Sequence, residues 1–203
     1  MKKLLVSVLL LICSSLSATQ VLVFAGSLRS GSYNKLLAKE AAELARAEGA
    51  DVVYIDLRDL PMPFYDADLE TSEGLPENAK KLRDLMMASD AVIIASPQYN
   101  ESVSSVLKNA IDWVSRGEDG RASKAAFKGK KFALMSASPR KKGGAKGLSH
   151  LRIILDDCGA DVIEPETSIR FADQAFDSEG HLVDSETLTL LQQQIQVLLQ
   201  TLR

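Results

Sequence analysis

Aromatic residues, histidine and cysteine are all scarce in this chain of 203 residues. Aromatics make up 5% of it, with one tryptophan, too few for the stacking platforms that bind single-stranded nucleic acid. The two histidines, His150 and His181, lie far apart in no metal-ligand spacing, so both are expected at the surface or in structural roles. Of the two cysteines, Cys13 falls in an apolar leader. A processed chain would keep Cys158 alone and could form no internal disulfide. Cys158 closes a helix in Leu155-Asp156-Asp157-Cys158-Gly159 and reads as an inert, packed thiol. Positive charge is not in surplus either, since Lys+Arg number 24 against 27 Asp+Glu, a net charge of -3. An acidic domain has no general attraction for nucleic acid or an anionic membrane, so any anion it binds needs a local site. The G-x-S-x-G elbow is missing too, which leaves hydrolase chemistry without support.

Residues 1–18 combine Lys2-Lys3, the apolar stretch Leu4 to Cys13 and a small-residue end, Ser14 to Ala18. That is the pattern of a secretory signal. The stretch is shorter than the roughly 18–20 residues of a spanning helix. Leu11-Ile12 before Cys13 argues against lipidation, and there is no twin arginine. The expectation is a leader over 1–18 and one domain over 19–203, without a membrane span. A cleaved leader implies a periplasmic or secreted protein; a retained anchor or a start codon placed too far upstream are the other readings, and the last implies a cytoplasmic one.

Beyond the leader there is no repeat and no break in composition. Near-continuous apolar runs at Gln20–Ala25, Asp51–Leu57, Asp90–Ser96 and Lys130–Ser136 are expected as strands covered on both faces. A fifth strand is expected at Asp161–Glu164, alone or joined to Ser168–Phe171. Helical spacing occupies Asn34–Glu48, Pro76–Ser89, Val103–Arg116, Ala145–Cys158 and Asp184–Leu202, while Arg58–Leu75 reads as irregular. Asp66, Asp68 and Glu70 in that stretch are expected to be solvated. Five β-α repeats imply an α/β fold, a parallel sheet with right-handed crossovers and helices on both faces. Ligands bind such sheets at the carboxyl ends of the strands.

The loop after the first strand reads Gly26-Ser27-Leu28-Arg29-Ser30-Gly31-Ser32-Tyr33-Asn34 and runs into a helix. Glycines free the backbone to turn N–H groups inward, the helix start adds positive potential, and Arg29 offers a fork for phosphate oxygens. Ser32 stands where a P-loop needs lysine, and Leu28 replaces the second glycine of the dinucleotide fingerprint. A monophosphate such as FMN therefore fits better than a pyrophosphate.

After the third strand come Pro97-Gln98-Tyr99-Asn100 and then Leu107-Lys108-Asn109-Ala110-Ile111-Asp112-Trp113. With the first loop, these residues resemble the NADPH-dependent FMN reductase family, which includes quinone, chromate and azo-dye reductases. The resemblance runs from about Gln20 to Arg170 in order. It implies a flavodoxin-like three-layer sandwich with a five-stranded sheet in the order 2-1-3-4-5. It also implies non-covalent FMN, NADPH or NADH as electron donor, and a homodimer or homotetramer with FMN near a subunit interface. By position, Ser27, Arg29, Ser32, Tyr33 and Asn34 correspond to the phosphate site. Pro97, Gln98, Tyr99 and Asn100 correspond to the loop along the flavin ring, with Tyr99 able to pack on the ring or to cover the core. Gln98 stands where Glu is common in the family, and Ser104-Ser105 where Pro-Gly is common.

The loop after the fourth strand, Ser136-Ala137-Ser138-Pro139, leads in the family into glycines beside the flavin, here Gly143-Gly144. Ser136, Ser138 and Gly143 complete the expected cofactor site. Arg140-Lys141-Lys142 intervene before the glycines, either as a solvated basic loop or to attract the 2′-phosphate of NADPH or an anionic acceptor. Trp113 is expected in the core or an interface. With the chemistry on FMN, no catalytic side chain and no metal are expected. The function expected is reduction of quinones, flavins or similar small acceptors by ping-pong hydride transfer. The rival readings are an electron-carrier flavodoxin that does not itself oxidise NAD(P)H, and a flavin-free interaction protein.

Overall fold

The computed structural model describes residues 18–202, so all but Ala18 of the expected leader lies outside the described residues. The described residues begin with β1 (Gln20–Ala25), α1 (Tyr33–Ala47) and β2 (Asp51–Asp56). They continue through α2 (Ala67–Glu73), α3 (Glu77–Ala88), β3 (Ala91–Ala95), α4 (Ser105–Val114), β4 (Lys131–Ala137) and α5 (Ala145–Asp157). The short strands β5 (Asp161–Val162) and β6 (Thr167–Ile169), then α6 (Ala172–Ala175) and α7 (Ser185–Gln200), follow.

The sheet order is β2-β1-β3-β4-β5, every pairing is parallel, and β6 also pairs with β4. This is the flavodoxin-like order expected from sequence. The fifth position holds two short pieces rather than one strand. Pro165 lies between them and has no N–H to give a ladder.

The continuous apolar runs follow from burial on two faces with period two. In β1, Val21, Val23 and Ala25 pack into one core with α1 and α7, while Leu22 and Phe24 join the other with α3, α4 and α5. Strands β3 and β4 split the same way: Ile93 and Met135 face the first core, Ile94 and Leu134 the second. Each such side chain, removed from water, contributes roughly 1.5–3 kcal/mol. The frame beneath the carboxyl-end loops is thus rigid. No helix among the described residues is long and apolar enough to cross a membrane.

The segment expected to be irregular differs from that expectation. It contains a 3₁₀ turn at Leu57–Asp59 and α2, whose N-cap Asp66 accepts from the amides of Asp68 and Leu69 at 2.8 and 3.4 Å. Residues 61–73 form a strap on α4. Asn109 donates to the Pro63 carbonyl at 2.9 Å and accepts from the Tyr65 amide at 2.8 Å, and Trp113 Nε1 donates to the same Pro63 carbonyl at 2.8 Å. Trp113 is a core residue, fully buried, with the Tyr65 ring edge-on at 5.0 Å. Glu70 is not solvated: it is buried, 2.8 Å from Arg116 Nε, and accepts from the Tyr65 hydroxyl at 3.0 Å. The Arg116 bond holds its carboxyl below the ordinary range although burial opposes this. A short side chain at the helix start and a distant arginine reverse what local polarity suggests. Asp66 and Asp68 are exposed, as expected.

Candidate functional site

The three loops after β1, β3 and β4 converge on one cleft of about 1360 Å³, bordered also by the start of α4. The first loop is pinned from below. Ser104, the N-cap of α4, accepts from the Leu107 amide at 3.3 Å and donates its hydroxyl to the Gly26 carbonyl at 2.6 Å. Gly26 lets the helix come this close, because a Cβ there would stand 2.9 Å from Leu107 Cδ2. The Ser27 hydroxyl accepts from the Arg29 amide at 3.3 Å, and Arg58 donates to the Leu28 carbonyl. Ser32 caps α1 by position without a bond from its hydroxyl to the helix. Arg29 is exposed and lines the cleft. Lys35 is buried and 2.5 Å from Asp56, so its charge is matched within the fold.

The second loop leaves β3 through the buried Ser96 and Pro97 and forms a tight hairpin. Tyr99 and Ser102 exchange backbone hydrogen bonds of 3.0 and 2.9 Å. Asn100 and Glu101 at the tip have φ of 49° and 64°, the left-handed pair such a two-residue turn requires. Asn100 is therefore suited by its backbone tolerance. Glu101 is held by Lys146, with Lys142 at 3.7 Å, and these cations keep its carboxyl below the ordinary range. Gln98 Oε1 accepts from the Gly147 amide at 2.9 Å and so ties the hairpin to the first turn of α5. The Tyr99 ring is 54% exposed at the cleft, free to cover a planar ligand.

The third loop is shaped by glycine. Gly143 and Gly144 are buried at φ of 61° and 94°. A Cβ on Gly144 would stand 2.0 Å from the Ser136 hydroxyl, and one on Gly143 2.5 Å from that of Ser168. Both hydroxyls are buried and have no hydrogen-bond partner among the described residues. The Ser138 hydroxyl accepts from the Arg140 amide at 3.2 Å, and Arg140, Lys141 and Lys142 stand exposed at the rim.

Arg29, Gln98, Tyr99, Asn100 and Ser138 thus line one cleft, whereas Ser27, Ser32, Pro97, Ser136 and Gly143 are buried in the same loops and strand ends and do not line it. Two expected phosphate residues turn their side chains elsewhere. Tyr33 stacks on Phe176 at 6.2 Å. Asn34 makes a reciprocal pair with the backbone of Ala137, donating at 2.8 Å and accepting at 3.0 Å. Sequence inspection also missed Ser104, Glu101 and Lys146. Ser104 carried a readable sign, a serine directly before an apolar helix. Glu101 and Lys146 carried none, since their meeting depends on the β3–β4 crossover.

Residues 19–174 match the family described as NADPH-dependent FMN reductase. An NAD(P)H-dependent FMN reductase of Pseudomonas aeruginosa is 38% identical over 180 residues, 88% of this chain and 92% of that protein. A quinone reductase of Escherichia coli K12 is 35% identical over 178 residues, 87% of this chain and 91% of its own. Among solved structures, the flavoenzyme FerB of Paracoccus denitrificans, an NAD(P)H:(acceptor) oxidoreductase, aligns with a TM-score of 0.77 at 30% identity, over 91% of this chain and 97% of that one.

Proposed function

The chain belongs to the NADPH-dependent FMN reductase family, and from that premise we propose that its three-loop cleft holds FMN and passes electrons from NAD(P)H to quinones, flavins or similar small acceptors. The observation that carries this is the convergence of Arg29, the Tyr99 hairpin and the Ser138–Gly144 loop around one opening. The cleft exceeds the roughly 300–1,000 Å³ typical of a single ligand pocket, leaving room for a second planar molecule beside the first. The residues present suit FMN: the Arg29 guanidinium at the cleft for its phosphate, with the Ser32 hydroxyl uncommitted to α1 three residues on, and the Gly144 backbone at the cleft for its ring.

Bound FMN supplies the hydride chemistry. The protein positions. Arg29 and the start of α1 would hold the phosphate, as helix starts do for anions. The exposed Tyr99 would cover one face of the ring and shield it from water. The proton that completes quinol formation would come from solvent at the open mouth of the cleft.

The test is to purify the protein, read its flavin absorbance, add NADPH without oxygen, and then add a quinone. Rapid bleaching followed by recovery is expected. Slow bleaching would favour an electron carrier, and failure to take up FMN would reject the cleft. Arg29→Ala should weaken FMN binding about tenfold to a hundredfold, the worth of a charged hydrogen bond. Assembly into a homodimer or homotetramer, with Phe64, 78% exposed, offering apolar surface to cover, is part of the same proposal. Light scattering tests it, and a monomer overturns it. So is processing of the leader, for which intact mass should show a chain starting near Thr19.

A further inference from the structure

We propose that Arg140 and Lys141 bind the 2′-phosphate of NADPH and so make this chain prefer NADPH to NADH. The inference rests on the cleft being the NAD(P)H site. The protein is acidic, with a net charge of -3, yet the cleft gathers Arg29, Lys108, Arg140, Lys141 and Lys142 against the carboxylate of Glu101. Two of these five cations are paired. Lys108 lies 2.6 Å from Asp112, and Glu101 is shared by Lys142 at 3.7 Å and Lys146. Arg29 belongs to the first loop, four residues ahead of α1, and is assigned to the FMN phosphate by the proposed function. Arg140 and Lys141 have no carboxylate within ion-pair distance among the described residues.

The backbone that presents them is fixed. The Arg140 amide is held by the Ser138 hydroxyl, its carbonyl accepts from the Gly143 amide at 3.0 Å, and the Lys142 carbonyl accepts from the Ala145 amide at 3.2 Å. Beneath, the Ser136 and Ser168 hydroxyls fill the space where side chains at 143 and 144 would go. Two adjacent cations, one a planar fork and one a point charge, match a phosphate monoester of nearly two negative charges. NADH carries a neutral hydroxyl at that position and gives them nothing to bind. An anionic acceptor would meet the same pair, but only in the second half of the reaction.

The probes are adenosine 2′,5′-bisphosphate and AMP, titrated calorimetrically into the FMN-loaded protein. Arg140→Gln/Lys141→Gln should weaken the bisphosphate about tenfold to a hundredfold, as for loss of charged hydrogen bonds. AMP should change less than about twofold, and the contrast should shrink as salt rises. Anaerobic flavin reduction by subsaturating NADPH should slow in step while that by NADH does not. Glu101→Gln frees Lys142 and Lys146 and should tighten the bisphosphate. Equal losses for both probes, no loss, a slowing confined to reoxidation by ferricyanide, or weaker binding in Glu101→Gln would each overturn the proposal. If the double variant still binds FMN and bleaches with both donors unchanged, this inference fails while the cleft stands. If the native protein takes up no FMN, both fall.

Discussion

The strap of residues 61–73 and the loop of residues 138–144 both cross the protein surface, and they dispose of their polar groups in opposite ways. Tyr65, Glu70 and the Pro63 carbonyl of the strap are satisfied by Asn109 and Trp113 of α4 and by Arg116 just beyond it. In the loop, the Ser136 hydroxyl beneath has no partner among the described residues, nor does that of Ser168, and Arg140 and Lys141 face the cleft with no counter-charge among those residues. The first arrangement serves the folded chain itself. In the second, the two hydroxyls fill the space under Gly143 and Gly144, and the exposed cations above them leave capacity for something the chain does not contain. Charges matched within the fold mark stability, and unmatched ones at a cleft mark binding.

The sharpest way to break that comparison is Glu70→Gln. Removing one partner of a buried pair leaves Arg116 uncompensated, and about 3 kcal/mol of stability should go, roughly 6–12 °C in Tm. FMN affinity should stay within about twofold by absorbance titration, well under 1 kcal/mol. The pH dependence carries the same sign. The Glu70 pKa is depressed in the fold, chiefly by the Arg116 bond, so its contribution is complete above its ordinary value of 4.5 and is lost as pH falls through the lower, folded value. The gap in denaturant stability between native protein and Glu70→Gln should therefore be constant at neutral pH and narrow in acid. A gap that widens in acid would contradict the assignment.

Gly144→Ala comes next. It forces a left-handed alanine against a hydroxyl 2.0 Å away and should cost roughly 1–3 kcal/mol while loosening FMN. Adding Ser136→Ala should rescue it only in part, because the Cβ of residue 136 would still lie 2.9 Å off. The smallest expected effect is Glu101→Gln, whose half-exposed pairs are screened by water and should leave Tm unchanged. A large drop in Tm would place the Glu101 cluster with the strap rather than with the site.

The sheet was legible because its strands are buried on both faces and read as unbroken apolar runs, as in Val21 to Ala25. The loops were legible where chemistry is local, as at Gly26–Ser32. The strap was not. Glu70 among Asp66, Asp68 and Thr71 looks like solvated surface, and only the return of α4 brings Arg116 to it. Tyr33 and Asn34 show the opposite limit. Their place in the first loop was readable, but the direction of each side chain is set by Phe176 and Ala137, more than a hundred residues away in the chain.

Two side chains lace the three loops together before any ligand arrives. Ser104 joins the turn after β1 to the helix that follows the hairpin, and Asn34 joins the start of α1 to the last peptide of β4. Ordering these segments is therefore completed when the chain folds, and cofactor capture is spared that entropy. The apoprotein should accordingly protect the amides of residues 26 and 137 from solvent deuterium as well as the loaded form does.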